Sequence, residues 1–357
     1  MDPPAAVRIE PMPERNPEGV HGFLTRRGFV RLLGAGAAAV LLPACRDAAR
    51  SVGLAPPARA HTPFITPDER FYLVAVDPSY RPPFGPREVT RRWSLGLRGL
   101  DGREARLGYD HLRERARRTV LHTFECIGNP VGGSLIGNAR WRSVGLREIL
   151  QRAPGGVAGA RAVMFESLDG FYSSVSIERA LDDYAFLALE MNGAPLPAGH
   201  GFPVRTLLPD LYGMKQPRWL KRITLLEDAA TTSYWEKRGW AGEVPVKTMS
   251  RLDPRRRRQP PQALDLSGVA FAGRRGIRAV EVSLDNGAHW VRCELVTPTT
   301  PNVWSLWRYT WRAPTPGRHI VLVRAIDGTG ALQTAKVQDS FPDGASGYDG
   351  LVIEVSA

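Results

Sequence analysis

The stretch 123–141, Thr-Phe-Glu-Cys-Ile-Gly-Asn-Pro-Val-Gly-Gly-Ser-Leu-Ile-Gly-Asn-Ala-Arg-Trp, constrains this chain more than any other. A β-rich run at 118–125 delivers one cysteine, Cys126, into a loop holding Gly128, Gly132, Gly133 and Gly137. Glycine and proline at this density break regular structure. Glycine also lets the backbone take positive φ and approach a bulky group closely. A short apolar run at 146–150 then reads as a helix. We read Cys126 as a protein ligand to a metal, with the glycine loop as the floor of its site.

Cysteine usage narrows the chemistry. The three cysteines are Cys45, Cys126 and Cys293. Three thiols exclude a disulfide framework and a multi-cysteine zinc or iron–sulfur site, and no Cys-x-x-Cys-His segment occurs for c-type haem. A lone cysteine is also what a buried structural thiol looks like, and Cys293 is read that way. His122 precedes Cys126 by four residues, which raises a thiol-dependent hydrolase as an alternative. On a strand, four residues span about 13 Å, too far for direct activation.

The formal net charge of +12 favours anionic ligands and surfaces. No nucleic-acid-binding motif accompanies it, so nucleic acid is not expected as a partner. The densest basic run, Arg255 to Arg258, lies between Pro254 and Pro260 and reads as a solvated linker. Near the amino terminus, Thr25-Arg-Arg-Gly-Phe-Val-Arg31 precedes an apolar run at 32–42. That run is too short to span a bilayer comfortably. The pair Arg26-Arg27 before Phe29 has the form of a twin-arginine export signal. The expected location is therefore periplasmic or otherwise exported. Ala58-Arg-Ala60 offers a cleavage point, while Leu42-Pro-Ala-Cys45 offers lipidation at Cys45. Retention of the leader would anchor the chain to a membrane.

Along the chain, strand-length runs are expected at 73–76, 93–97, 161–167, 171–177, 185–191, 204–208 and 220–226, with a helix at 109–115. Strands and short helices alternate here without a βαβ rhythm, so this half reads as α+β. After a connector at 231–262, strand-length runs recur at 277–284, 290–296, 303–311 and 319–326, with Asp285-Asn-Gly287 as a hairpin turn. Short strands without helices argue for a β-sandwich. The expected organisation is an export leader and linker at 1–60, a ligand-binding α+β domain at 61–240 and an all-β sandwich at 241–357.

Five blocks in order carry a resemblance: the cysteine loop with Ile136-Gly-Asn-Ala-Arg-Trp141, His200-Gly-Phe-Pro-Val-Arg205, Tyr212-Gly-Met-Lys-Gln-Pro-Arg-Trp-Leu220, Tyr234-Trp-Glu-Lys-Arg-Gly-Trp240, and Glu281-Val-Ser-Leu-Asp-Asn-Gly287 with Val323-Arg-Ala-Ile-Asp327. Together they resemble the sulfite oxidase family. The resemblance implies a molybdopterin-binding α+β domain followed by an immunoglobulin-like dimerisation sandwich, and it covers roughly residues 64–357. It implies a molybdenum–molybdopterin cofactor whose pterin brings two sulfurs and whose protein ligand is Cys126. It places Tyr72, Ser167, His200 and Arg205 against the pterin. Lys215, Gln216 and Arg218 fall at its phosphate end, and Trp240 stands at the position of an active-site tyrosine. Arginine's planar fork suits a phosphate on independent grounds.

The sequence also departs from the sulfite-oxidising members. Those carry arginines soon after the metal cysteine and after the amino-terminal aromatic block. Here the corresponding stretches read Cys126-Ile-Gly-Asn-Pro-Val131 and Leu73-Val-Ala-Val76, which argues against a sulfite dianion as substrate. The expected function is two-electron oxygen-atom transfer to or from a small molecule. A one-electron carrier such as a cytochrome would serve as redox partner, and the carboxy-terminal domain would form a homodimer. The alternative is an exported binding protein with a vestigial cofactor site.

Overall fold

The structure is a computed structural model that describes residues 7–11 (backbone only), 62–77, 79–228, 232–253, 263–296, 301–312 and 314–355. Arg26-Arg27, Cys45, Ala58-Arg-Ala60 and Arg255 to Arg258 lie outside the described residues. Among the described residues, no helix is long and apolar enough to cross a membrane.

Among the described residues, nineteen strands and a few short helices occur in the order β1 (Val7–Pro11), α1 (Val89–Arg92), β2 (Ser94–Arg98), β3 (Glu104–Gly108), α2 (Tyr109–Arg115), β4 (Arg118–Glu125), β5 (Ile136–Gly145), α3 (Leu146–Leu150), β6 (Ala162–Ser167), β7 (Tyr172–Ser176), α4 (Ile177–Ala180), β8 (Phe186–Met191), β9 (Ala194–Pro195), β10 (Arg205–Leu207), β11 (Leu220–Leu226), β12 (Met249–Leu252), β13 (Ala263–Phe271), β14 (Ile277–Ser283), β15 (Val291–Arg292), β16 (Glu294–Leu295), β17 (Ser305–Arg312), β18 (Gly317–Asp327) and β19 (Asp349–Val355). In the first half, one sheet runs β3-β2-β11-β6-β7 and a second runs β10-β8-β5-β4. The only parallel pair in these two sheets, among the described residues, is β11 with β2. The second half has the sheets β12-β13-β17-β16 and β1-β19-β18-β14-β15. This is an α+β half followed by a β-sandwich, the architecture expected from the sequence.

Local sequence explains the helices that brace the first half. In α3, Leu146, Ile149 and Leu150 are buried at helical spacing, and Leu146 N–H donates to the Ala185 carbonyl beside β8. In α2, Tyr109 and Leu112 face inward one turn apart. The strand β4 starts exposed, and its last four residues are all buried, so it drives its carboxy-terminal end, and Cys126 beyond it, into the interior.

Two expectations about strands are corrected. Residues 73–76 form no strand; this segment lines a cleft instead, and its Val74 carbonyl accepts a hydrogen bond from Arg218. The run 290–296 is not one strand. Its first part, β15, pairs with β14, while β16 pairs with β17 of the facing sheet. Cys293 sits buried at the crossover. Strands that switch sheets make the corners of sandwiches.

The seam between the halves holds the cysteine loop in place. Thr123 N–H donates to the Asn302 carbonyl, and Trp304 N–H donates to Thr123 Oγ1 at 2.9 Å. The Arg251 guanidinium donates to the Gly133 carbonyl. Ile127 and Ile136 pack in one apolar cluster with Val269, Phe271, Val303 and Trp304 from the second half.

Candidate active site

A cleft with an empty volume of about 830 Å³ opens beside Cys126. Its walls come from the irregular segment 71–76, the end of β4, the end of β6, the loops before and after β10, and the turn at 235–240. The cleft brings together Tyr72, Cys126, Ser167, His200, Arg205, Gln216, Arg218 and Trp240. They come from six separate stretches of the sequence, with His200 and Arg205, and Gln216 and Arg218, as the two close pairs.

Cys126 is buried, and its sulfur accepts a hydrogen bond from the Gly128 N–H. Burial pushes the thiol up to about 11, so the metal-free protein carries it protonated at neutral pH. Among the described residues, no three His, Cys, Asp or Glu side chains converge on a metal position. A single thiol of this kind would suit a metal that arrives with its other donors. A soft thiolate suits such a molybdenum centre.

Arg205 is buried beneath the cleft. Its guanidinium lies 4.0 Å from the Phe124 ring centroid and 5.1 Å from that of Trp141, and Nη1 donates to the His200 carbonyl at 3.1 Å. Such stacking stabilises a desolvated cation. Burial, and then the neighbouring Arg218, lower Arg205 to about 9, which leaves it charged at neutral pH. Among the described residues, its Nε has no hydrogen-bond partner, and neither does the buried Ser167 Oγ. Arg218 donates to the carbonyls of Gly199 (2.8 Å) and Val74 (2.6 Å) and lies 4.5 Å over the Trp219 ring.

His200 Nε2 bonds to the Asp68 carbonyl at 3.0 Å, so Nε2 carries the proton. Burial, and then Arg205, lower this imidazole to about 4 and keep it neutral. His122 is held to about 3 mainly by burial, and its Nε2 donates to Gln216 Oε1 at 3.1 Å. It belongs to the scaffold under the cleft and is not among the cleft lining. The Gln216 amide is engaged at both ends inside the protein. Its oxygen also accepts from Leu208 N–H, and its nitrogen donates to the Leu211 carbonyl. Gln216 thus meets the cleft with its amide oxygen already accepting two hydrogen bonds.

Lys215 is not brought to the cleft lining. Its buried ammonium pairs with Glu236 and donates to the Ser174 carbonyl and to Ser233 Oγ. The glycine loop likewise does not floor the cleft, which corrects the sequence reading. Only Cys126 and Ile127 of that loop line it. A Cβ at Gly137 would sit 2.9 Å from the Phe71 ring, and one at Gly132 would meet Asp349. These glycines permit close packing of protein on protein. A true close approach does exist at Gly213, where a Cβ would lie 2.8 Å from the Tyr72 hydroxyl oxygen in the cleft wall.

Sequence reasoning passed over Asp169, Phe171, Met214 and Trp219, which also line the cleft. In sequence, Asp169 lies in Leu168-Asp-Gly170, which has only the form of a turn, and Phe171 N–H donates to its carboxylate.

The donor set fits a molybdopterin. One end offers a single thiol, the buried Arg205 and half-buried Arg218 guanidiniums offer charge for a phosphate-bearing group, and two buried polar atoms, among the described residues, await partners. Comparison with known proteins agrees. Residues 84–235 match the oxidoreductase molybdopterin binding domain, and residues 246–340 match the Mo-co oxidoreductase dimerisation domain. Sulfite oxidase of Gallus gallus is 29% identical over 329 residues, covering 77% of this chain and 69% of that protein. Mitochondrial sulfite oxidase of Rattus norvegicus is 28% identical over 326 residues, covering 78% of this chain and 59% of that protein. Inducible nitrate reductase [NADH] 1 of Glycine max is 27% identical over 318 residues, covering 70% of this chain and 35% of that protein. The chain thus spans from a third to about two thirds of these relatives' lengths. The solved structure of the sulfane dehydrogenase SoxCD from Paracoccus pantotrophus shares the fold, with a TM-score of 0.70 at 20% identity over 84% of this chain and 85% of that one. With both domain matches in this order along one fold, the chain belongs to the sulfite oxidase family of molybdenum-cofactor oxidoreductases.

Proposed function

We propose that this chain is an exported enzyme of two-electron oxygen-atom transfer in which Cys126 supplies the single protein ligand to the metal. The observation that carries this reading is the placement of one buried thiol at the head of a cleft with two desolvated guanidiniums. When bound, the cofactor supplies the oxygen-atom-transfer and two-electron chemistry.

The chain's own residues supply binding, orientation and exclusion of water. Cys126 gives up its proton on ligation, because ligand thiols bind as thiolates. Arg205 and Arg218 balance the anionic charge of the cofactor. Ser167 Oγ and Arg205 Nε are the polar atoms left for it to satisfy. Tyr72, whose phenol is held well above its ordinary range chiefly by burial, stays protonated. Trp240 lies in the wall beside Ile127 and Met214, in a packed apolar cluster that keeps bulk water out.

Electrons pass to or from an external one-electron carrier of the cytochrome type. The match to a dimerisation domain supports a homodimer formed through the sandwich at 241–357, with the cofactor domain at 61–240. Arg26-Arg27 supports export to the periplasm as a folded, loaded protein, with membrane attachment through the leader or a lipidated Cys45.

Metal analysis of protein matured in a molybdenum-replete host tests the core of this reading. About one molybdenum per chain is expected, with a protein sulfur in the metal's X-ray absorption spectrum. In Cys126→Ser that sulfur contribution falls and turnover is lost, while the fold remains soluble. Wild-type protein that matures without molybdenum overturns the proposal.

A further inference from the structure

We propose that a second, smaller cavity at the seam between the two halves binds a monovalent cation of potassium or ammonium size, held by the carboxylate of Glu125, the residue before Cys126. This site is separate from the cleft and does not depend on the cofactor reading above.

The cavity has an empty volume of about 280 Å³ and room for roughly one or two water-sized guests. Both halves line it, with Glu125 and Asn129 from the first and Thr248, Ser250, Gln333 and Ser346 from the second. Among the described residues, Glu125 is the one ionisable side chain in that lining. It is only 6% exposed. Its Oε1 accepts from Asn129 Nδ2 at 3.0 Å. Its Oε2 is buried and, among the described residues, has no hydrogen-bond partner. A buried carboxylate oxygen left in this state is costly, and a bound cation removes that cost.

The cations nearby are committed elsewhere. Arg251 spends Nε on Asp253 at 3.1 Å, Nη1 on the Gly133 carbonyl at 3.1 Å and Nη2 on Thr62 Oγ1 at 2.8 Å. Lys247, next to Thr248 in sequence, donates to Asp343 and to the Gly344 carbonyl. The hydroxyls of the lining are committed as donors. Ser250 Oγ donates to Gln333 Oε1 at 2.7 Å, Ser346 Oγ to the Lys336 carbonyl at 2.8 Å and Thr248 Oγ1 to Asp327 at 3.3 Å. A hydroxyl has one proton, so these three keep only lone pairs for a guest. One carboxylate oxygen with hydroxyl lone pairs suits a cation and repels an anion. A water molecule would fill the space and leave the carboxylate charge uncompensated. Divalent ions of the calcium type draw on several charged oxygens, and among the described residues no three His, Cys, Asp or Glu side chains converge on one position.

The site bears on the cysteine loop through Asn129. Its Nδ2 donates to Glu125, and its Oδ1 accepts from Leu135 N–H at 2.9 Å. Cys126 N–H donates to the Leu135 carbonyl, also at 2.9 Å. A cation on Glu125 therefore steadies one end of a brace across residues 126–135. Glu125 and Asn129 are positioning residues for that loop.

Thermal unfolding of the full chain tests this, in the chlorides of potassium, ammonium and choline at equal ionic strength. A ligand that binds only the folded state raises the midpoint by mass action. Potassium or ammonium should raise it saturably by about 2–4 °C over choline, whose cation is too large for the cavity. In Glu125→Gln, which keeps the size and removes the charge, the difference between the salts should vanish. Ser346→Ala keeps the carboxylate and should raise the half-saturating concentration by about fivefold, the effect of one lost polar contact. That variant keeps the test open if Glu125→Gln fails to fold. Crystals soaked in thallium(I), a strongly scattering substitute for potassium, should show an anomalous peak at Glu125 Oε2. Equal midpoints in all three salts overturn the inference, as does a potassium effect that survives Glu125→Gln. Ordered water at Oε2 with no thallium peak also overturns it. None of these readouts uses molybdenum, so their failure leaves the cofactor reading standing.

Discussion

At the scale of single residues, the chemistry-bearing side chains were legible and their settings were not. Cys126, Ser167, His200, Arg205 and Arg218 stand out in the sequence by type and motif, and all reach one cleft. What the string of letters hides is the partner of each. Lys215 and Arg218 are three residues apart and both cationic, yet one pairs with Glu236 away from the cleft and the other borders it. The glycines tell the same story, since a glycine that spares a ligand and one that spares a phenyl ring look identical in sequence. Gly137 spares Phe71, with 2.9 Å between a built Cβ and the ring. Gly137→Ala should therefore lose about 1–3 kcal/mol of stability, the usual effect of overpacking a core, as read by urea unfolding. An unchanged midpoint would show that Phe71 yields freely.

At the scale of elements, strands with strong local patterns were readable, and those shaped by neighbours were not. The strand β4 spans the stretch expected for it, and α3 follows its apolar spacing. The segment 73–76 has strand-like residues, but no neighbouring strand pairs with it, and Arg218 takes its Val74 carbonyl. The run at 290–296 divides because its two ends pair with facing sheets. The turn at Glu236–Arg238 depends on a lysine more than twenty residues upstream in a different loop. Removing one member of a buried pair strands the other. Lys215→Met should accordingly destabilise the fold by about 3 kcal/mol. Urea unfolding of the metal-free protein measures this, and a loss within about 0.5 kcal/mol, as for an ordinary surface change, would show that Glu236 finds water instead.

At the scale of the whole molecule, the two halves are joined through the loop that carries the cysteine. Asp349, at the start of β19, accepts from Leu252 N–H at 2.8 Å and stands against Gly132. Burial raises its carboxyl to about 6. A carboxyl with its folded pKa above its unfolded value binds its proton more tightly in the fold, so the associated stability is present at low pH. It is lost as pH rises from the unfolded carboxylate value, near 4, through about 6. Asp349→Asn removes the titration while keeping an acceptor for Leu252. The difference in unfolding free energy, wild type minus variant, should fall by about 3 kcal/mol across that window; a flat difference would mean the carboxyl titrates as if in water.

The sequence alone determined the class of fold, the cysteine at its centre and the kind of cofactor that one thiol with several cations could serve. These follow from local properties: strand propensity, turn residues, and the donor chemistry of each side chain. Only the tertiary structure decided which cation faces the cleft, which glycines serve packing, and that the tryptophan turn walls the cysteine. Those outcomes depend on partners tens to hundreds of residues away, because contact in a folded chain follows from how sheets pack and not from order along the backbone.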